Sequence, residues 1–121
     1  MANITPTSTD RSNFQDKGQT TAWGPMLNGD VGLPLQNFGG SDRSIQVTGT
    51  FGAGGTMLVE GSNDGTNYYT LVDHQGNALS ITAAGLKSID QAVAYVRPRV
   101  SAGDGTTSLT ATMMCRRGSI V

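Results

Sequence analysis

The sequence predicts an all-β fold, a two-sheet antiparallel β-sandwich of jelly-roll or Ig-like type with an irregular N-terminal arm. Apolar and polar residues alternate with a period of two in several short segments, which is the pattern of half-buried strands. Turn signals recur about every 8–12 residues, as they do in sandwiches. The 17 glycines and the low charged content of 14% favour short strands and tight turns over helices.

The bulk properties limit the class of protein. A chain of 121 residues has the size of one domain and can bury one modest core without metals or disulfides. The net charge of −1 gives no reason to expect a nucleic acid or an anionic membrane as partner. The sequence has neither a signal-peptide pattern nor an apolar run near the ~20 residues that cross a bilayer, so we expect a soluble chain made in a cytoplasm.

The N-terminal segment 1–19 is predicted to be an extended arm. Its only large apolar residues are Ile4 and Phe14, too few to offset the entropy lost on ordering the segment. Two interpretations stay open, a flexible terminus or an arm that Phe14 or Ile4 anchors on a neighbouring subunit.

From residue 20 onward, short apolar segments alternate with turns and predict a sandwich domain that spans 20–121. The clearest strand is 43–51, in which Ile45 and Val47 face one side and polar residues face the other. No segment has an apolar repeat at three and four residues over the ~10 that a helix needs. The predicted strands are 20–27, 31–35, 43–51, 56–60, 67–73, 79–82, 86–89, 92–101 and 108–116.

The last two predicted strands, 92–101 and 108–116, fit a hairpin through the turn at Asp104-Gly105. Pairing Val100 with Leu109 sets apolar side chains opposite one another along both strands. A shift by one residue would set the core face against the solvent face, so the register is well specified.

Charge is distributed unevenly along the chain. From residue 97 onward there are four arginines and one acid, which gives +3, and the remainder carries −4. The predicted hairpin places Arg97, Arg99 and Arg116 on one outer face, which we expect to meet an acidic partner unless it is only a solvated edge. With Phe14 and the single tryptophan, Trp23, these arginines are the candidate partner-interface residues.

Residues with catalytic or metal-binding chemistry are isolated, and we expect no enzyme, no cofactor and no metal. The only histidine, His74, lies in a predicted loop without a nucleophile beside it. The only cysteine, Cys115, excludes an intrachain disulfide and alternates with core positions, so we expect it to be buried. Asp64-Gly65 and Asp104-Gly105 each offer one carboxylate, too few for calcium, and indicate turns.

A carbohydrate-binding module is an alternative interpretation. Trp23, Tyr68, Tyr69 and Tyr95 could form an aromatic platform for a sugar. Adjacent Tyr68 and Tyr69 must point to opposite sides of a strand, so we expect one in the core and one exposed.

Three segments resemble small structural proteins of tailed bacteriophages, of the head decoration or cement type. They are 60–69 (EGSNDGTNYY), 94–100 (AYVRPRV) and 103–107 (GDGTT), followed by a Thr-rich final strand, and the resemblance covers about residues 43–117. It implies a non-enzymatic protein on the capsid surface of a virion, made in the host bacterial cytoplasm. Its implied partner is the major capsid protein, and its implied state is a homo-oligomer, a dimer or trimer. A tail component is the alternative within the same resemblance.

Overall fold

The structure is a computed structural model that describes residues 2–10, 19–36 and 42–116. Every regular element within these ranges is a strand, and none is a helix that could cross a membrane. The strands are β1 (Asn3–Ile4), β2 (Thr7–Asp10), β3 (Gln19–Leu27), β4 (Val31–Gly32), β5 (Leu35–Gln36), β6 (Asp42–Thr50), β7 (Thr56–Ser62), β8 (Tyr69–Thr70), β9 (Ser80–Ile81), β10 (Gly85–Ile89), β11 (Tyr95–Ala102) and β12 (Ser108–Arg116).

The strands form two sheets that pack face to face. Sheet A runs in the order β1-β4-β11-β7-β8, with β5 paired to β11 and β9 paired to β7. Sheet B runs in the order β10-β6-β12-β3-β2. Neighbouring strands are antiparallel except β1, which is parallel to β4. The predicted all-β sandwich is therefore confirmed.

One apolar cluster between the sheets forms the core. Alternate residues of β6 and β12 point into it, as the period-two pattern predicts. The core residues less than 2% exposed include Trp23 and Met26 of β3, Ile45 and Val47 of β6, Met57 and Val59 of β7, Val96 and Val100 of β11, and Leu109, Ala111 and Met113 of β12.

A bulge in β3 brings Trp23 into this core. Leu109 pairs with Met26 and Ala111 pairs with Trp23, so Gly24 and Pro25 together lie opposite one residue of β12. The extra residue lets two side chains three positions apart both point inward, although strict alternation would send one of them to solvent.

The predicted hairpin of the last two strands is wrong. β11 lies in sheet A, where Val100 pairs with Met57, and β12 lies in sheet B, where Leu109 pairs with Gly49 and Met26. Each strand buries one face, and two facing sheets satisfy that pattern as well as a hairpin does. The chain crosses between the sheets in the loop 103–107.

Hydrogen bonds to the side chains of this loop fix the crossing. The Asp104 carboxylate accepts hydrogen bonds from the backbone N–H groups of Ala53 (2.9 Å) and Thr106 (2.8 Å). The Thr107 hydroxyl donates to the carbonyl oxygen of Phe51 at 2.7 Å. The Asp-Gly pair thus belongs to a turn that ties the β11–β12 connection to the β6–β7 connection.

Pro98 lies inside sheet A without leaving a ladder hydrogen bond unmade. It pairs with Val59, whose own N–H and C=O groups bond to Leu79 and Leu71 on the other side of β7. The Pro98 nitrogen therefore faces away from β7, toward the break between β4 and β5. A proline is tolerated inside a sheet at such an interruption, because it has no N–H group to donate to a neighbouring strand.

The described part of the predicted N-terminal arm pairs with both sheets. β1 extends sheet A and β2 extends sheet B, and Ile4 packs against the core. The Ala2 amide donates to Asp30 Oδ1 at 3.0 Å, and its carbonyl accepts from the Val31 amide at 2.9 Å. Gln19 is the first residue of β3, and the division of the chain at this position stays a prediction.

Candidate partner-binding surface

The outer face of sheet A carries a cluster of one carboxylate and two guanidinium groups. Glu60 of β7 pairs in register with Arg97 of the neighbouring β11. Arg97 Nε donates to Glu60 Oε1 and Arg99 Nε donates to Glu60 Oε2, both at 3.0 Å. The Glu60 side chain is 8% exposed, whereas those of Arg97 and Arg99 are 26% and 36% exposed. We call these two arginines, held on Glu60, the arginine pair.

The arginine pair keeps donor groups toward solvent. Among the described residues, Glu60 bonds to the two Nε–H groups and no bond is made by the Nη hydrogens, which leaves these hydrogens for a partner. Two positive charges and one negative charge leave the cluster with one net positive charge. The Arg97 guanidinium also lies over the Tyr68 ring, 3.8 Å from its centroid, and burial raises the pKa of that tyrosine. These contacts fix the position of Arg97 before any partner binds.

Arg116 lies apart from the arginine pair, which corrects the predicted shared face. It ends β12 in sheet B, and its Nη2 lies 3.4 Å from Asp42 Oδ2, with both side chains about half exposed. The sheets place Arg116 and the arginine pair on opposite sides of the sandwich, because the predicted hairpin that joined them does not form.

Trp23 does not fit the predicted partner interface. Its side chain is completely buried, and its Nε1 donates to the Leu33 carbonyl oxygen at 2.8 Å. A partner could reach this ring only if the sandwich opened, so Trp23 is a core residue. Phe14 lies outside the described residues, and its assignment stays a prediction.

The other residues with reactive side chains lie apart from one another. His74 is exposed in a loop, with Nε2 3.8 Å from Asp90 Oδ1. Cys115 is buried, as predicted, and burial raises the pKa of its thiol. The carboxylate of Asp104 accepts hydrogen bonds that lower its pKa to about 2. Across residues 2–10, 19–36 and 42–116, no three His, Cys, Asp or Glu side chains come close enough to hold a metal ion.

The aromatic residues of the predicted sugar platform do not converge. Trp23 is buried, Tyr68 is half-buried beside Arg97, and Tyr95 is half-buried beside Gly65. Tyr69 is 73% exposed and lines a cavity of about 420 Å³ beyond the end of β7. Of the four, Tyr69 is therefore the one that presents a ring to solvent.

The sequence interpretation missed Glu60, the residue that organises the arginine pair. Glu60 ends the predicted strand 56–60 on the face opposite Met57 and Val59, and its position in that strand indicates no partner. A single acid in a strand, with an Arg-x-Arg segment elsewhere, is a signal for such a cluster. To recognise the cluster, one must know that β7 pairs with β11. The alternation of residues within each strand does not give this pairing.

Comparisons with known proteins show a similarity of fold without a similarity of sequence. No protein-family model and no curated protein matches this sequence. Among solved structures, the chain is similar to the crystal structure of the SPBc2 prophage-derived protein YomS, with a TM-score of 0.63 and 8% sequence identity over 82% of this chain and 94% of that one. The chain shares its fold with a prophage-derived protein.

A second similarity is too distant to support an argument. It is to CpGH89CBM32-5 from Clostridium perfringens, in complex with GalNAc-β-1,3-galactose. The TM-score is 0.36, with 12% sequence identity over 93% of this chain and 75% of that one.

Proposed function

We propose that this chain is a non-enzymatic virion structural protein that binds the outside of a bacteriophage capsid and stabilises it. Its partner is the major capsid protein, and the arginine pair docks on an acidic part of the capsid surface. The sequence resemblance to head decoration proteins and the fold shared with a prophage-derived protein support this function.

The observation that carries the proposal is the geometry of the arginine pair. Guanidinium groups bind carboxylates in a planar, two-pronged arrangement, and they are more weakly hydrated than ammonium groups. Glu60 orients both groups through Nε, and Tyr68 supports one of them. Because the side chains are already ordered, docking loses less conformational entropy than it would with mobile surface arginines.

The proposed setting is the surface of the virion, on which many copies act together. We propose a dimer or trimer that is made in the host bacterial cytoplasm and then joins the shell. Several linked contacts raise the overall affinity without any single contact being strong, because each later contact forms at a high effective concentration.

The docking face is tested with shells assembled without this chain. The variant E60Q/R97Q/R99Q removes the arginine pair together with the buried charge that holds it, and R116Q is the matched control on the other sheet. We expect the triple variant to bind shells at least about tenfold more weakly and to lose most of the salt dependence of binding. R116Q should bind as the unaltered protein does.

Unchanged shell occupancy of the triple variant would exclude the arginine pair as the docking face. Electron microscopy of particles carrying the unaltered chain tests the location separately. Regularly repeated density on the outside of the head is the expected result. Density confined to the tail would replace the decoration function with that of a tail component.

A further inference from the structure

A concave site lies at the end of sheet A and has no part in the proposed docking face. The cavity measures about 420 Å³, within the range of roughly 300–1,000 Å³ that is usual for small-molecule sites. Buried Leu71 and half-buried Val93 form its apolar base, and exposed Tyr69 forms a wall. A Cβ atom on Gly61 would come within 2.8 Å of both Leu71 and Val93, so only glycine allows these side chains to pack over β7.

Side-chain amides and one carboxylate form the polar rim, and each amide is fixed at one end. Asn63 Oδ1 accepts from the Ala94 amide at 3.1 Å, and Gln91 Oε1 accepts from the Val72 amide at 2.8 Å. Asn67 Nδ2 donates to Asp64 Oδ2 at 2.9 Å. Three amide atoms have no hydrogen-bond partner among the described residues: Nδ2 of Asn63, Nε2 of Gln91 and Oδ1 of Asn67.

We propose that this cavity binds one neutral sugar ring, with an apolar face of the ring against Tyr69 and its hydroxyl groups bonded to the free amide atoms of the rim. A sugar has a C–H face and hydroxyl groups that both donate and accept. The cavity offers an aromatic wall, two free donors and a free acceptor, which match those features.

The charge of the rim decides between neutral and anionic sugars. Asp64 accepts hydrogen bonds from two backbone amides and from the Ser62 and Asn67 side chains, and these hold the pKa of its carboxyl well below its usual range. The carboxylate is therefore ionised near neutral pH and disfavours a second negative charge. A uronic acid should bind more weakly than the matching neutral sugar.

The test is a titration of the isotope-labelled protein with methyl glycosides, followed by nuclear magnetic resonance. The probes are the methyl β-glycosides of galactose, glucose and N-acetylglucosamine, methyl α-mannoside, and methyl β-glucuronide as the anionic comparison. Each is raised to about 20 mM, which nearly saturates a site of millimolar Kd. We expect saturable shifts of the Asn63 and Gln91 side-chain amide signals with at least one neutral probe, and weaker binding of the glucuronide.

Two variants separate this site from nonspecific contact. Tyr69→Ala should weaken binding about tenfold with an unchanged backbone spectrum, because most of the side chain is exposed to solvent. Leu86→Ala removes an exposed apolar side chain from sheet B and should bind as the unaltered protein does. The proposal is overturned if no neutral probe shifts these signals, if the glucuronide alone binds, or if Tyr69→Ala binds normally.

Discussion

Replacing Glu60 with glutamine should destabilise the sandwich through one buried group. The side chain is 8% exposed, and its two oxygens accept one hydrogen bond each from Arg97 and Arg99. Glutamine keeps the shape but supplies only one carbonyl oxygen. Its NH₂ group would then meet the second arginine as donor against donor, so that buried hydrogen bond is lost.

The expected cost follows from these contacts. Losing a hydrogen bond to a charged group costs ~1.5–3 kcal/mol. Leaving two like charges without their counter-charge adds ~0.5–1 kcal/mol, a modest value because solvent reaches both arginines. We expect Glu60→Gln to lower the free energy of unfolding by about 2–4 kcal/mol, or the Tm by roughly 8–16 °C.

Urea unfolding, followed by the fluorescence of the buried Trp23, measures this change. The triple variant E60Q/R97Q/R99Q should remain within about 1 kcal/mol of the unaltered protein, since it removes the charges together. Arg116→Gln, at a half-exposed pair, should change stability by less than about 0.5 kcal/mol. A loss below about 0.5 kcal/mol for Glu60→Gln, or a triple variant less stable than the single one, would refute the reasoning.

Three further changes test other parts of the fold. Trp23→Ala should lower the free energy of unfolding, measured by thermal unfolding, by about 3–5 kcal/mol. The change empties a fully buried site and removes the hydrogen bond to the Leu33 carbonyl oxygen. A loss under about 1 kcal/mol would contradict this packing. The pKa of Asp104 is about 2, below the ordinary ~3.9, so its contribution to stability is present above about pH 4 and lost as the pH falls through about 2. In Tm measurements across that range, Asp104→Asn should show a shallower decline than the unaltered protein, whereas parallel curves would argue against the role of the carboxylate. Deleting residues 2–10 removes β1 and β2 and uncovers the edges of β4 and β3. We therefore expect a lower Tm and concentration-dependent association in ultracentrifugation. A monomer with an unchanged Tm would show that β1 and β2 are dispensable.

The sequence predicts which side chains of a strand are buried much better than it predicts which strands are neighbours. Alternation in 43–51 and 108–116 correctly placed Ile45, Val47, Leu109 and Met113 in the core. It could not tell that β11 and β12 lie in different sheets, because a strand that buries one face has the same pattern in a hairpin and in a sandwich. That ambiguity wrongly grouped Arg116 with the arginine pair.

Errors at single residues have local causes. Trp23 was assigned to the partner interface, whereas a bulge at Gly24-Pro25 keeps the strand continuous and turns the ring inward. The cavity beyond the end of β7 was not predicted either, because Asn63, Asn67 and Gln91 belong to loops that only the folded chain brings together. For this reason, the aromatic residues alone suggested a platform that does not form.

The order of strands in the two sheets has a consequence for biosynthesis. β11 is the middle strand of sheet A and β12 is the middle strand of sheet B, yet both come last in the described chain. A nascent chain that stops before residue 95 therefore lacks the centre of both layers and leaves the inner edges of β4, β7, β3 and β6 unpaired. Translation must pass both segments before either layer can close, so prematurely terminated products should be substrates for proteases and chaperones rather than partly active fragments.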